Sequence, residues 1–272
     1  MKKERADKLL VQQGFAESID KAQRMIMTGK VITDKNERID TAGEKVPLNT
    51  TFRIKGAQMK YVSRGGYKLE KAMDIFNVDL KDKILLDIGS STGGFTDAAL
   101  QYGAKLSYAL DVGTNQLAWK LRQDPRVVVM EQTNFRYSQA KDFTYGKPNV
   151  ASIDVSFISL KLILPVLKEI ICEEGDVLAL IKPQFEAERE EVGEKGIIRS
   201  QVTHQKVLED ILMFATETGY DVAGLDFSPI TGGEGNVEFL AHLKSVSRDK
   251  GEMSPTVDIQ RTIQRAYATF LS

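Results

Sequence analysis

Apolar segments of strand length alternate with helix-length segments through most of the chain after residue 83. The predicted strands cover residues 84–88, 106–110, 127–130, 150–153, 177–181, 220–227 and 237–243. Strands separated by helix-length segments indicate a mostly parallel sheet with helices on both faces, which is an α/β fold. The last two strands are joined by residues 228–236 alone, too few for a parallel crossover, so we expect this pair to be antiparallel.

The first 60 residues follow a different pattern, in which every predicted element is short. A first helix ends at the Gly14 break, and Ser18 caps a second helix that ends at Gly29. Short strands are expected near residues 31–32 and 51–54, around a polar turn. This segment therefore predicts a small, self-contained α+β unit.

The C-terminal residues predict one further element. Residues 245–255 are mostly polar and are expected to form a linker. The residues after them carry an apolar stripe at helical spacing, which predicts an amphipathic helix. The stripe consists of Ile259, Ile263, Ala266 and Phe270. We expect this helix to pack against the main domain as an accessory element rather than to bind a partner.

Charge is distributed unevenly, although the whole chain of 272 residues has a formal net charge of only −1. Residues 1–60 contain 13 Lys and Arg against 8 Asp and Glu, whereas the rest of the chain contains 24 against 30. A basic segment joined to a mildly acidic one suggests that the first segment meets a polyanion. A solvated surface rich in lysine would give the same counts, so charge by itself leaves both interpretations open.

Cysteine and histidine are too few for several classes of site. Cys172 is the single cysteine, and His204 and His242 are the only histidines. An intramolecular disulfide, a cysteine zinc cluster and a His-rich metal site are therefore excluded, and no metal is expected. The N-terminal segment lacks the apolar run of a signal peptide, and no apolar run approaches the roughly 18 residues of a membrane span. We expect a cytoplasmic protein without a membrane partner.

A glycine-rich turn after the first strand of the main sheet is the strongest local signal. Residues 87–97 read Asp-Ile-Gly-Ser-Ser-Thr-Gly-Gly-Phe-Thr-Asp, follow an apolar strand and open a helix. Glycines let a ligand approach the backbone at the carboxyl end of a parallel strand, and an acid that ends the next strand is typical of a ribose contact. The spacing matches neither the dinucleotide motif nor the P-loop, and a purely structural turn remains the alternative. The expected ligand contacts are Asp87, Gly89, Ser90, Ser91, Gly93, Gly94, Phe95, Asp111 and Asn134.

Charged residues break the apolar pattern at three more places. Asp154 and Lys182 each directly follow a predicted strand, and Glu238 interrupts the last one. Charges are seldom placed at buried strands without partners. We expect Asp154 and Lys182 at the same sheet edge as the glycine-rich turn, where they form either part of a site or a structural ion pair.

Five blocks of this sequence, in this order, resemble the TlyA family of ribosomal-RNA 2′-O-methyltransferases, which is part of the wider FtsJ-like class. They are Ser-Arg-Gly-Gly-Tyr-Lys-Leu at 63–69, the glycine-rich turn at 87–97, Ile-Asp-Val-Ser-Phe-Ile-Ser-Leu at 153–160, Ile-Lys-Pro-Gln-Phe-Glu at 181–186 and Gly-Asn-Val-Glu-Phe at 235–239. The resemblance implies a Rossmann-like seven-stranded methyltransferase sheet and S-adenosylmethionine as the cofactor. It also implies a Lys-Asp-Lys-Glu catalytic tetrad, which falls on Lys68, Asp154, Lys182 and Glu238.

A second, less specific resemblance covers residues 4–60. The blocks Arg-Ala-Asp-Lys-Leu at 5–9 and Ala-Gln-Arg-Met-Ile-Met-Thr-Gly-Lys-Val at 22–31 are similar to the RNA-binding domain first described in ribosomal protein S-four. The expected RNA contacts are Arg5, Lys8, Arg24, Lys30 and Arg64. The expected domains are an RNA-binding domain at 1–60, a methyltransferase domain at 61–245, and a linker with a C-terminal helix at 246–272.

These patterns predict transfer of a methyl group from S-adenosylmethionine to a ribose 2′-hydroxyl of ribosomal RNA or a ribosomal subunit. Lys182 is the candidate base for the hydroxyl proton, Lys68 is expected to hold the hydroxyl or the adjacent phosphate, and the two carboxylates orient the lysines. One alternative is a non-catalytic RNA-binding or ribosome-assembly factor with the same fold. The other is a membrane-active toxin, because relatives have carried a haemolysin label. The sequence shows neither a degraded tetrad nor a membrane segment, and it indicates no oligomeric state.

Overall fold

The computed structural model describes residues 3–16, 18–34, 36–48, 50–55, 59–193, 196–232 and 235–271. The chain divides into two compact units, Met1–Met59 and Lys60–Ser272. The first unit has one hydrophobic cluster of its own, and the second unit has two.

The first unit is a small α+β body built from short elements. Its elements are β1 (Lys3–Arg5), α1 (Ala6–Gln12), α2 (Ile19–Met27), β2 (Val31–Thr33), β3 (Lys45–Pro47) and β4 (Phe52–Ile54). β1 pairs with β3 and β2 pairs with β4, both antiparallel. The Ser18 hydroxyl accepts a hydrogen bond from the Lys21 N–H at 3.3 Å and caps α2 as predicted. The sequence prediction missed β1 and β3, because β1 has no apolar residue and β3 has Val46 between a lysine and a proline.

The second unit contains the seven-stranded sheet. Its strands are β5 (Ile84–Ile88), β6 (Leu106–Leu110), β7 (Val127–Met130), β8 (Val150–Ile153), β9 (Asp176–Ile181), β10 (Tyr220–Phe227) and β11 (Phe239–Ser245). The spatial order is β10-β11-β9-β8-β5-β6-β7. The strands from β5 to β9 pair in parallel, and β11 lies antiparallel between β9 and β10. The Rossmann-like α/β sheet and its antiparallel final pair are confirmed.

The start of β11 differs from the sequence prediction by two residues. The prediction began this strand at residue 237, whereas β11 begins at Phe239 and Glu238 lies directly before it. The reason is Asn236, whose buried side chain accepts from the Ile198 N–H at 3.0 Å and donates to the Gly196 carbonyl at 2.8 Å. These bonds hold the chain in a loop until Glu238. Because β11 is antiparallel to β9, its first residues lie at the same sheet edge as the carboxyl end of β9.

Helices cover both faces of the sheet, as expected for parallel strands. The helices are α3 (Gly65–Phe76), α4 (Gly94–Gln101), α5 (Trp119–Arg122), α6 (Leu164–Ile170), α7 (Pro183–Glu186), α8 (Gln201–Glu217) and α9 (Ile259–Phe270). Apolar residues of α3, α4 and α5 belong to one cluster, and those of α6, α8 and α9 belong to the other. Within the described ranges, none of these helices is both long and apolar enough to cross a membrane.

The C-terminal segment packs on the second unit. α9 buries Ile263 and Ala266 in the same cluster as α8, which agrees with the expectation of an accessory helix. The preceding segment is not the simple polar linker that we expected from its composition. The Val222 N–H donates to the Glu252 carbonyl at 2.8 Å and the Ser254 N–H donates to the Val222 carbonyl at 2.9 Å. These two backbone bonds cover part of the otherwise free edge of β10, where unpaired backbone groups would be a liability.

Candidate active site

The glycine-rich turn lies between the carboxyl ends of β5 and β8, where parallel sheets bind ligands. Gly89 has a positive φ of 85°, and a side chain here would place its Cβ 2.5 Å from the Asp154 carbonyl oxygen. Only glycine therefore allows the two strand ends to approach this closely. The Asp111 carboxylate, after β6, accepts the Ser91 N–H at 2.8 Å through Oδ2 and the Gly113 N–H at 2.7 Å through Oδ1.

A cavity of about 760 Å³ opens beside this turn and is called here the larger cavity. Four of the expected ligand contacts line it: Gly89, Ser91, Asp111 and Asn134. Its apolar wall includes Leu110, Phe135, Val155, Ile158, Ile163 and Phe185. A carboxylate beside a glycine turn and an apolar slot beyond it suit a ligand with a ribose and a flat base.

Two of the expected ligand contacts, Asp87 and Gly93, line neither the larger cavity nor the smaller one described below. Asp87 is fully buried beneath the turn, and its carboxylate accepts from the Thr96 N–H and hydroxyl at 3.1 and 2.8 Å and from the Ser152 hydroxyl at 2.9 Å. Burial raises the pKa of Asp87 to about 6 in spite of these bonds. Gly93, with a φ of 94°, packs against Leu117 and Leu121. Both residues shape the turn rather than contact a ligand in the larger cavity.

The four charged residues of the expected tetrad form one chain of contacts at the sheet edge. Lys68 Nζ lies 2.7 Å from Glu238 Oε2 and 3.7 Å from Asp154 Oδ2. Lys182 Nζ lies 2.6 Å from Asp154 Oδ1. Lys68 comes from α3, Asp154 follows β8, Lys182 follows β9 and Glu238 precedes β11. Four separate elements thus bring together side chains that are up to 170 positions apart in sequence.

A second cavity of about 340 Å³, called here the smaller cavity, contains this tetrad. It is also lined by Ser63, Arg64 and Gly65 at the start of α3, and by Ser90, Gly94 and Phe95 of the glycine-rich turn. The two cavities share Gly89, Ser91, Asp154 and Ser156. The tetrad therefore lines the smaller cavity, and its Asp154 also lines the larger one. Two adjoining cavities suit transfer of a group between two bound molecules.

Ser156 is a site residue that sequence reasoning missed. Its hydroxyl lies 3.1 Å from Lys182 Nζ, and it lines both cavities. A serine in a loop carries no distinguishing signal by itself. Its position two residues after Asp154 was the available hint, since both follow the same strand.

The basic residues expected to bind RNA fall in two places. Lys8, Arg24 and Lys30 are exposed on the first unit. Arg5 differs, because its guanidinium donates to the buried Asp7 carboxylate through Nε at 3.0 Å and through a terminal nitrogen at 2.5 Å. Arg5 thus neutralises a buried charge and stabilises the first unit. Arg64 is exposed at the smaller cavity of the second unit.

No cluster of three or more His, Cys, Asp and Glu side chains suitable for a metal ion occurs among the described residues. The side chains gathered at the sheet edge are two amines, two carboxylates and a hydroxyl.

The sheet order, the antiparallel β11 and the glycine-rich turn after β5 define a Rossmann-like methyltransferase fold. The model of the FtsJ-like methyltransferase family matches residues 61–245. The chain is 56% identical to YqxC of Bacillus subtilis over 269 residues, which are 98% of this chain and 95% of that protein. The chain belongs to the FtsJ-like methyltransferase family, and within that family it groups with the TlyA proteins.

Two further comparisons describe its relatives. The 16S/23S rRNA (cytidine-2′-O)-methyltransferase TlyA of Mycobacterium tuberculosis is 36% identical over 241 residues, which are 89% of this chain and 90% of that protein. A solved structure of a hemolysin-like protein from Streptococcus thermophilus is 53% identical and superposes with a TM-score of 0.78. That comparison covers 100% of this chain and 98% of the other.

Proposed function

We propose that this enzyme methylates a ribose 2′-hydroxyl of ribosomal RNA, with S-adenosylmethionine as the methyl donor. The observation that carries the proposal is the chain of contacts among Lys68, Asp154, Lys182 and Glu238 in the smaller cavity, which adjoins the larger cavity at Asp154. Family membership supports methyl transfer, and the name of the relative from Mycobacterium tuberculosis supports ribosomal RNA and the 2′-oxygen. A ribosomal substrate also implies a cytoplasmic location.

The larger cavity is the proposed cofactor site. Asp111 would accept hydrogen bonds from ribose hydroxyls, since each carboxylate oxygen can accept another bond besides its backbone N–H. Asn134 and the apolar wall would contact the adenine side. Bound there, S-adenosylmethionine would supply an electrophilic methyl group on a positively charged sulfur.

The smaller cavity is the proposed acceptor site. A ribose hydroxyl is a poor nucleophile and must lose its proton as its oxygen gains the methyl group. Lys182, in its neutral form, would accept that proton on Nζ and become an ammonium. Asp154 orients Lys182, while Glu238 orients Lys68, which would hold the hydroxyl or the neighbouring phosphate. Positioning of this kind supplies much of the acceleration in group transfer.

The first unit is the proposed RNA-binding domain, of the type first described in ribosomal protein S-four. Lys8, Arg24 and Lys30 are exposed cations on a segment with a clear excess of basic residues. Such residues supply affinity through phosphate contacts without reading sequence. Arg64 would add a contact beside the acceptor site.

The test is a direct assay of the purified protein. Labelled S-adenosylmethionine is mixed with small subunits, large subunits and free ribosomal RNA, and the RNA is digested and analysed for 2′-O-methylated nucleosides. We expect a ribose-methylated nucleoside with the wild-type protein and none with Lys182→Ala at unchanged cofactor affinity. Binding of RNA without any methyl transfer would favour the non-catalytic assembly factor instead.

A further inference from the structure

We propose that Ser156 is a positioning residue that directs the Lys182 amine towards the acceptor site. The proposal rests on the proposed function, in which Lys182 accepts the hydroxyl proton. It concerns a side chain outside the four residues of the tetrad. The proposal is based on the hydrogen bonds around Lys182 Nζ.

Two groups hydrogen-bond the Lys182 amine in the described part of the chain. Asp154 Oδ1 lies 2.6 Å from Nζ, and the Ser156 hydroxyl oxygen lies 3.1 Å from it. A neutral primary amine has two N–H bonds and one lone pair, in a tetrahedral arrangement with its carbon. If Asp154 and Ser156 each accept one N–H, the lone pair is left in the third direction.

The direction of the Lys182 lone pair follows from the positions of the residues around the amine. Lys182 lines the smaller cavity together with Lys68 and Glu238, whereas Ser156 lines both cavities. With its two N–H bonds directed at Asp154 and Ser156, the amine presents its lone pair to the remaining space, which is the proposed acceptor site. Loss of the Ser156 hydroxyl would free one N–H, so the lone pair could occupy either of two directions.

The charged neighbours cannot replace Ser156 in this role. Asp154 accepts from Lys182 through Oδ1, and its Oδ2 faces Lys68 at 3.7 Å. Glu238 is held by Lys68 at 2.7 Å. Glu238 forms no ion pair with Lys182 among the described residues, so Ser156 is the second group there that accepts an N–H of Lys182.

The loop that carries Ser156 is anchored at its far end. The Leu160 N–H donates to Glu186 Oε1 at 2.9 Å, and the Ser159 hydroxyl accepts from the Lys161 N–H at 3.1 Å. Glu186 belongs to α7, which begins directly after Lys182. The loop after β8 and the residues after β9 are therefore tied together on both sides of the Ser156–Lys182 contact.

The experiment compares Ser156→Ala and Ser156→Thr with the wild-type full chain. Ser156→Ala should lower the single-turnover rate of methyl transfer about tenfold, the size expected for one neutral hydrogen bond. The KM for RNA and the calorimetric affinity for S-adenosylhomocysteine should stay within about twofold of the wild-type values, because the amine is misdirected while both binding sites are intact. Ser156→Thr keeps the hydroxyl and should retain most of the rate.

Ser247→Ala, at an exposed serine remote from both cavities, is the matched control and should behave as the wild type. A wild-type rate in Ser156→Ala, or equal losses in the Ala and Thr variants, would overturn the role of the hydroxyl. A tenfold loss caused only by weaker RNA or cofactor binding would overturn it as well. Absence of methyl transfer in the wild-type protein would instead contradict the proposed function, so the two failures are distinguishable.

Discussion

At the scale of single residues, one carboxylate organises the candidate active site. Asp154 contacts Lys182 through one oxygen and Lys68 through the other, and Lys68 also contacts Glu238. Burying ion pairs costs desolvation energy that the attraction seldom exceeds, so such pairs argue weakly for stability. Four charged side chains gathered in one cavity at the sheet edge argue more strongly for chemistry.

Asp111 gives the sharpest test of the cofactor site. Asp111→Ala should weaken binding of S-adenosylmethionine about 10- to 100-fold, because hydrogen bonds to a charged acceptor are lost and the turn amides lose their partner. Isothermal titration calorimetry measures this directly. Asp124→Ala is the control, since its carboxylate pairs with Arg126 away from either cavity. Unchanged affinity in Asp111→Ala would remove Asp111 from the site.

At the scale of elements, the contact between α8 and α9 depends on a buried histidine. The Tyr267 hydroxyl donates to the Arg199 carbonyl at 2.8 Å and lies 2.9 Å from His204 Nδ1, which therefore acts as the donor. The buried His204 Nε2 has no hydrogen-bond partner among the residues that the structure describes. Protonation there would create a buried charge with no acceptor, and burial lowers the pKa of His204 to about 4.

The lowered pKa of His204 predicts a loss of stability in mild acid. The unfolded chain binds the proton near pH 6.5 and the folded chain only near pH 4, so stability falls as the pH drops through this window. This titration should lower the free energy of unfolding at pH 5 by about 2 kcal/mol relative to its value at pH 7.5. Asp87, whose pKa is raised, acts in the opposite direction but contributes equally to the wild type and to a His204 variant.

Urea unfolding at pH 7.5 and pH 5 measures this contribution. The difference in free energy of unfolding between the wild type and His204→Gln should change by about 2 kcal/mol between the two pH values, because the variant lacks the titrating group. If the difference in free energy of unfolding between the two proteins did not change with pH, the folded protein would bind the His204 proton as readily as the unfolded chain, which would contradict the prediction.

At the scale of the whole molecule, charge and chemistry lie in different units. The first unit, together with Lys60, carries the basic excess, whereas the tetrad and both cavities belong to the second. Under the proposed function, phosphate contacts of the first unit would raise the affinity for any RNA, and the smaller cavity would select the ribose. We therefore expect that substitutions in the first unit can weaken RNA affinity without a change in the methyl-transfer step.

Substitution of Lys8, Arg24 and Lys30 by Gln in the full chain tests this separation. RNA affinity should fall, and the slope of log affinity against log salt should become shallower by about two, since up to three phosphate contacts are lost. The matched control replaces Lys81, Lys105 and Lys147, which are exposed near the amino ends of β5, β6 and β8, at the opposite sheet edge. An equal loss in the control would contradict a specific role for the first unit.

The main sheet could be predicted from the sequence because its strands are buried apolar runs separated by helices. Polar residues at strand ends were harder to assign. Asp87, the fourth residue of β5, lies beneath the turn, whereas Asp111, which follows the last residue of β6, lines the larger cavity. The direction of a side chain at a strand end depends on neighbouring strands, which local sequence does not specify.

Contacts between elements that are distant in sequence also could not be predicted from local sequence patterns. Lys68 is one exposed-looking lysine among many until α3 brings it to Glu238, and only the family resemblance singled it out. Ser156 carried no signal, and the pairing of Arg5 with Asp7 was missed because buried acids in short helices look like surface residues in sequence. These features depend on packing between elements.

Single-turnover methyl transfer to ribosomal RNA by folded Lys182→Arg tests the central claim most directly. A guanidinium keeps its charge and can pair with Asp154 but cannot accept a proton, so we expect normal cofactor affinity and no methyl transfer. If Lys182 were only half of a structural ion pair, the arginine would preserve that pair and much of the activity. A Lys182→Arg rate close to that of the wild type would contradict the account.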